Sequence, residues 1–176
     1  MNNFWQRLIT GTVFVATIIA AIFYGPLSFQ LLFLIVSLLS LKEFYLMVKN
    51  DIRNPNEILG LIFGGIIYII YSGMFSNFLP EKYSVIIYPL SVIIFIAELY
   101  RKKKEPFTNI GFTFLGIFYA VLPFALLNKV AAFSGNYDSG LLIGYFIILW
   151  CSDTFAYVFG NLLGKTKLFE RISPKK

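Results

Sequence analysis

The chain is 176 residues long, 58% hydrophobic and only 14% charged, with a mean hydropathy of +0.75. A water-soluble domain carries about 25% charged residues, so these values exclude the soluble globular class and point to a polytopic membrane protein. The absence of histidine and the single cysteine, Cys151, exclude His-based acid–base chemistry, histidine-ligated zinc and an intramolecular disulfide. Any bound metal is then a hard ion held by oxygen.

In chain order, apolar runs bounded by charges give about six spans in one domain. The first covers about Leu8–Tyr24 and the second about Leu27–Leu41, separated by the tight turn Gly25-Pro26. The second span follows so closely that the first reads as a retained helix rather than a cleaved signal peptide. The third covers about Ile58–Phe75, the fourth about Tyr83–Ala97, the fifth about Phe107–Leu127 and the sixth about Leu141–Leu163. Gly-x-x-x-Gly pairs at Gly60/Gly64, Gly140/Gly144 and Gly160/Gly164 read as close helix packing, not as nucleotide loops.

Alternation of these spans sorts the basic residues. Arg7, Lys42, Lys49, Arg53, Arg101, Lys102, Lys103, Lys104, Lys165, Lys167, Arg171, Lys175 and Lys176 fall on one side, thirteen of the fifteen Lys and Arg; only Lys82 and Lys129 fall on the other. The positive-inside rule makes the crowded side cytoplasmic, with the N-terminus and the basic tail 164–176 both there. The expected fold is therefore an all-α polytopic transmembrane helical bundle, residues 1–176 forming a single integral-membrane domain. The net charge of +6 is explained by topology and by affinity for anionic headgroups or phosphates, without nucleic acid.

Within this pattern Asp153 stands out. It lies 11 residues before Gly164, roughly 16 Å along a straight helix, which puts it near the middle of a hydrocarbon core. An acid at that depth costs about 2.5–3.5 kcal/mol on insertion scales, so it needs a polar cavity or a partner. Asp153, Tyr157, Gly160 and Gly164 share one helical face, which either lines a cleft or packs tightly on another helix. Glu98 is spaced to pair with Arg101 or Lys102, and "RKKK" at 101–104 reads as a headgroup-facing cluster. Glu43 sits near the end of the second span, with a structural role expected. In the tail, Ser173-Pro174 is a helix-start signal that places Lys175 and Lys176 in a first turn. Lysines there oppose the helix dipole unless an anion sits at the helix start, so "SPKK", with Lys165 and Lys167 upstream, reads as a phosphate site.

Taken together, these segments resemble the phosphatidate cytidylyltransferase (CDP-diacylglycerol synthase) family, whose members carry W-x-x-D-[ST]-x-A-Y-x-x-G, then G-K-x-K-L, then I-S-P-K-K-[ST]-x-E-G. Trp150, Asp153, Thr154, Ala156, Tyr157 and Gly160 match the first element. Gly164, Lys165, Lys167 and Leu168 match the second, and Ile172, Ser173, Pro174, Lys175 and Lys176 the third. The resemblance implies transfer of a cytidylyl group from CTP to phosphatidate, giving CDP-diacylglycerol and pyrophosphate with Mg2+ as cofactor. It implies Asp153 as metal ligand and catalytic residue, Lys175 and Lys176 as catalytic, and Lys165, Lys167 and Ser173 with them as nucleotide-binding. The partners implied are CTP, phosphatidate and the bilayer, with a homodimer left open, and the expected location is a bacterial inner membrane. Family members continue past S-P-K-K with a W-E-G element and a Lys- and Asp-rich signature. The chain thus reads as the N-terminal two-thirds of a member, incomplete for catalysis by itself. Two other readings of the residues stay open at this point: a transporter or channel subunit using Asp153 as an intramembrane proton or cation site, and a cytidylyltransferase for another lipid phosphate. So does Asp153 as a mere helix-packing acid.

Overall fold

The computed structural model describes residues 3–163, all of whose regular elements are helical. Its contacts divide the chain into two compact units, Met1–Ser139 and Gly140–Lys176. In the first unit, α1 (Asn3–Tyr24) turns sharply into α2 (Pro26–Val48), followed by α3 (Glu57–Phe75). A 3-10 turn at Glu81–Ile86 leads into α4 (Ile87–Arg101), and then come α5 (Pro106–Gly116), a π-helical turn at Ile117–Val121 and α6 (Leu122–Ala131). The second unit is described as one helix, α7 (Ser139–Leu163), 25 residues long.

The expected all-α membrane bundle is the observed architecture. Pro26–Val48, Glu57–Phe75, Glu81–Arg101, Pro106–Ala131 and Ser139–Leu162 are each long and apolar enough to cross a bilayer, and Leu8–Tyr24 is a shorter apolar helix. The main difference from the sequence expectation lies at the ends. Helix α2 runs on to Val48, so Lys42 and Glu43 are inside it, both exposed. Nothing in the sequence breaks the helix there, and long charged side chains near a span's end reach water without ending it.

Each connection has a local cause. Gly25 takes φ 139°, a backbone region open to glycine, and Pro26 starts α2 where its missing N–H is no loss. Ser28 closes the turn by donating to the carbonyls of Ala21 (2.6 Å) and Gly25 (2.7 Å). Asn56 caps α3, its side chain accepting from Leu59 N. The fifth span is one unbroken helical run but takes a π-helical turn at Ile117–Val121, just before Pro123. Proline removes the amide that a regular helix would offer to the Tyr119 carbonyl, and a wider turn redistributes the backbone bonds around that gap.

The burial pattern is that of a protein whose solvent is lipid. In α2 the buried side chains are Phe29, Phe33, Ser37, Leu41 and Tyr45, one stripe at spacing four. The opposite face exposes Leu27, Leu31, Ile35 and Leu39. A soluble helix would carry polar residues there; in a bilayer an apolar outer face costs nothing, and association comes from close packing. That packing is tightest around Tyr45. A Cβ built on Gly60 or Gly116 would overlap the Tyr45 ring, so α2 reaches α3 and α5 through two glycine notches. The Tyr45 hydroxyl then donates to the Thr113 carbonyl at 2.8 Å. The expected close packing at Gly60/Gly64 is thus observed, against Tyr45, Leu41 and Val121.

Helix direction sorts the ends of the first unit. One end gathers the α2–α3 and α4–α5 connections, with Lys49, Arg53 and Arg101–Lys104. The other gathers the α1–α2 turn, the α3–α4 connection and the end of α6, with Lys82 and Lys129. At that second end Tyr137 donates to Ile22 O at 2.7 Å and Asn77 to Gly135 O at 3.3 Å.

The notch argument predicts that Gly60→Val destabilises the detergent-solubilised protein by about 1–3 kcal/mol, the range for overfilling a packed site. Gly111→Ala, where a Cβ would meet open space, should leave the thermal midpoint unchanged. Equal midpoints for both variants would refute the notch.

Candidate functional site

Helix α7 carries the acid singled out by the sequence. Leu163 lies ten residues beyond Asp153, roughly 15 Å further along the axis. Asp153 is exposed and takes part in none of the hydrogen bonds or ion pairs found among the described residues. Tyr157, one turn on, is also exposed, and a Cβ on Gly160 would meet open space. The aromatic pair Phe155–Phe159, stacked with centroids 6.0 Å apart, sits two residues on from this face, about 200° round the helix. One face of α7 is thus aromatic, and the other presents a carboxylate, a phenol and a bare glycine backbone. Thr154 turns its hydroxyl inward to Trp150 O at 2.7 Å, so it offers little to a ligand. Cys151 is an exposed thiol.

Lys165, Lys167, Ser173, Lys175 and Lys176 lie outside the described residues, so Asp153 is the one predicted site residue whose placement is described. An ionised carboxylate is acceptor-only and suits a hard divalent cation. Among the described residues no three acidic or thiol groups come together as a ready-made metal cage. A lone carboxylate such as Asp153 could hold a hard divalent cation only together with ligands from elsewhere, such as water or phosphate oxygens.

A second polar centre, missed in the sequence apart from its one local pair, lies at the lysine-rich end of the first unit. Glu98 is buried, 3% exposed, near the end of α4. Arg101 Nη1 donates to Glu98 Oε2 at 2.6 Å, the i,i+3 pair expected, and also to Asn54 O at 3.0 Å, while Nη2 donates to Asn54 Oδ1 at 3.0 Å. The other carboxylate oxygen of Glu98 accepts from Asn109 Nδ2 at 2.8 Å. The same Nδ2 donates to Lys104 O at 2.9 Å, and Asn109 Oδ1 accepts from Asn54 N at 2.7 Å. Thr113, one turn on, donates to Asn109 O at 2.8 Å and accepts from Asn56 N at 2.9 Å. Arg53 lies over the Phe112 ring at 5.4 Å.

Every buried side-chain N or O among the described residues has a partner. Glu98 spends both oxygens, Asn109 both ends of its amide, and Arg101 binds a carboxylate and a peptide group. The network serves the fold: it fastens the α2–α3 connection to the start of α5. Beyond the Glu98–Arg101 spacing, the signal that could have found it is Asn109 and Thr113, two polar residues one turn apart in an apolar span.

Arg101→Ala strands the buried Glu98 carboxylate, which predicts a loss of about 3–5 kcal/mol, whereas Glu98→Ala leaves a part-exposed guanidinium that can turn to water and should cost less. Thermal unfolding in detergent reads both, and a double-mutant cycle of the two should show strong coupling. Additive single effects would contradict the pairing.

Three comparisons bear on identity. The sequence profile of the cytidylyltransferase family matches residues 5–176. Among curated relatives, the phosphatidate cytidylyltransferase of Staphylococcus saprophyticus is 26% identical over 173 residues, that of Staphylococcus epidermidis 28% over 174, and that of Staphylococcus aureus 26% over 174. In each case the match covers 97% of this chain and 63% of the relative, so the chain spans somewhat less than two-thirds of their length. No solved structure matches significantly. With a profile match across nearly its whole length, the chain belongs to the cytidylyltransferase family.

Proposed function

We propose that this chain serves the transfer of a cytidylyl group from CTP to phosphatidate, forming CDP-diacylglycerol and pyrophosphate at a bacterial inner membrane. The observation that carries this reading is the family match over residues 5–176, joined to relatives named for that activity. The helical membrane architecture suits a substrate that stays in the bilayer, and the lysine-rich end of the bundle suits a cytoplasmic face, where CTP is found.

In the reaction a phosphate oxygen of phosphatidate attacks the α-phosphorus of CTP. A new P–O–P bond forms, the bond to the β-phosphate breaks, and pyrophosphate leaves with the electron pair. Phosphatidate arrives with its phosphate already ionised, so no histidine-like base is needed. The difficulty is electrostatic, because two anions must meet and a third must depart. Bound Mg2+ would screen that charge. The part proposed for Asp153 is to hold the ion from the open face of α7, with Tyr157 beside it and Gly160 leaving room for a headgroup or phosphate to approach. Lys165, Lys167, Ser173, Lys175 and Lys176 are proposed to bind the CTP phosphates.

Asp153→Ala should reduce Mg2+-dependent conversion of labelled CTP to CDP-lipid by about 10²-fold or more, in membranes carrying the protein as encoded, without changing its insertion. Undiminished conversion would remove Asp153 from the mechanism. Lys175→Gln with Lys176→Gln should raise the apparent KM for CTP; unchanged constants would return these lysines to a topological role.

A further inference from the structure

The "RKKK" run at 101–104 does not act as one unit. Arg101 is consumed by the buried network, bound to Glu98 and Asn54. Lys102, Lys103 and Lys104 instead line a cavity of about 540 Å³ together with Lys49, Asn50 and Asp51 from the α2–α3 connection. Its size is in the range of small-molecule sites. Four ammonium groups against one carboxylate leave a concentrated positive charge around a concave space.

Three features separate this cavity from a solvated basic face. The two segments that form it are fixed to each other: Asn109 holds Lys104 O and Asn54 N, and Arg101 holds Asn54 O and Oδ1. The 49–54 side is closed on itself, Asn50 Oδ1 accepting from Ile52 N and Arg53 N and Asn50 N donating to Arg53 O. The lysine side is strained. Lys102 and Glu105, at φ 50° and 52°, both take the left-handed conformation that glycine adopts without penalty. A link chosen only to join α4 to α5 would carry glycine or asparagine there. This one holds a lysine at a strained position and aims three of them at one space, and their mutual repulsion is relieved when an anion enters.

We propose that this cavity binds a doubly charged phosphate group, such as a phosphomonoester carries, either on a lipid headgroup or on a soluble nucleotide. Lysines are point charges well suited to phosphate oxygens, and a dianion offsets the lysine surplus better than the single charge of a phosphodiester. The cavity lies where α2 and α4 end, at the polar boundary of the apolar layer, which is the height of lipid headgroups. The inference rests on this geometry and is independent of the catalytic reading.

The test titrates the full chain carrying Asp153→Ala, Lys175→Gln and Lys176→Gln, which disables the proposed catalytic site, purified in detergent without divalent cations, with dioctanoyl phosphatidate, dioctanoyl phosphatidylglycerol and CTP, following binding by microscale thermophoresis. Phosphatidate should bind about tenfold or more tighter than phosphatidylglycerol. Lys102→Gln/Lys103→Gln/Lys104→Gln should abolish that preference, Lys49→Gln on the opposite wall should reduce it, and Lys82→Gln/Lys129→Gln at the other end should leave it intact. These side chains are exposed, so unchanged melting of the variants separates lost binding from lost folding. Competition by CTP that depends on the same lysines identifies a soluble source, and its absence identifies the lipid; either result supports the phosphate site. Equal affinity for the two lipids, or a preference that survives the triple substitution, overturns it.

Discussion

A carboxylate taken out of water needs a hydrogen-bond partner for each of its oxygens. Glu98 finds them in Arg101 and Asn109, Arg101 is held in turn by Asn54, and the requirement shapes the surrounding chain. It fixes where α4 ends and how the α2–α3 connection crosses the end of the bundle. It also fixes where α5 begins, since Asn109 must face Glu98 while holding Lys104 O. Thr113 extends the same chain of bonds to Asn56, the cap of α3, and its carbonyl receives the Tyr45 hydroxyl of α2. Elements α2, α3, α4 and α5 are thereby joined at one end by a continuous run of hydrogen bonds.

Away from that end the bundle relies on fit. Glycines at 60 and 116 admit the Tyr45 ring, and the outer faces of the helices stay apolar because lipid asks nothing else of them. This division leaves α7 as the contrasting element. It carries an exposed acid in the middle of an apolar helix, with no partner among the described residues, where the first unit pairs its buried acid. An acid left open in an apolar span is costly, and a ligand that draws on it would offset the cost. The proposed role of Asp153 follows from that contrast together with the family to which the chain belongs.

What the sequence discloses here follows the range of the interaction. Helical spans and the sorting of charge are periodic or local signals, and the helices and the two ends of the first unit agree with them. The Glu98–Arg101 pair was legible because its partners are three residues apart. The bonds from Arg101 to Asn54 and from Thr113 to Asn56 join residues 47 and 57 positions apart, which no periodicity encodes. For the same reason Arg101 could not be told from the lysines that follow it: their composition is alike, and only the fold gives them different partners. Of the candidate site, Asp153 was legible as an acid out of place, and the tail residues Lys165–Lys176 lie outside the described residues.

The claim on which the structure turns is that one amide, that of Asn109, ties two connections of the bundle together. Hydrogen–deuterium exchange, compared between the native chain and Asn109→Ala, reads this bond by bond. The account predicts that the Asn54 amide, which donates to Asn109 Oδ1, is protected in the native chain and exchanges rapidly in the variant, with faster exchange spreading through 102–105. Protection at Asn54 that is the same in both proteins would contradict it.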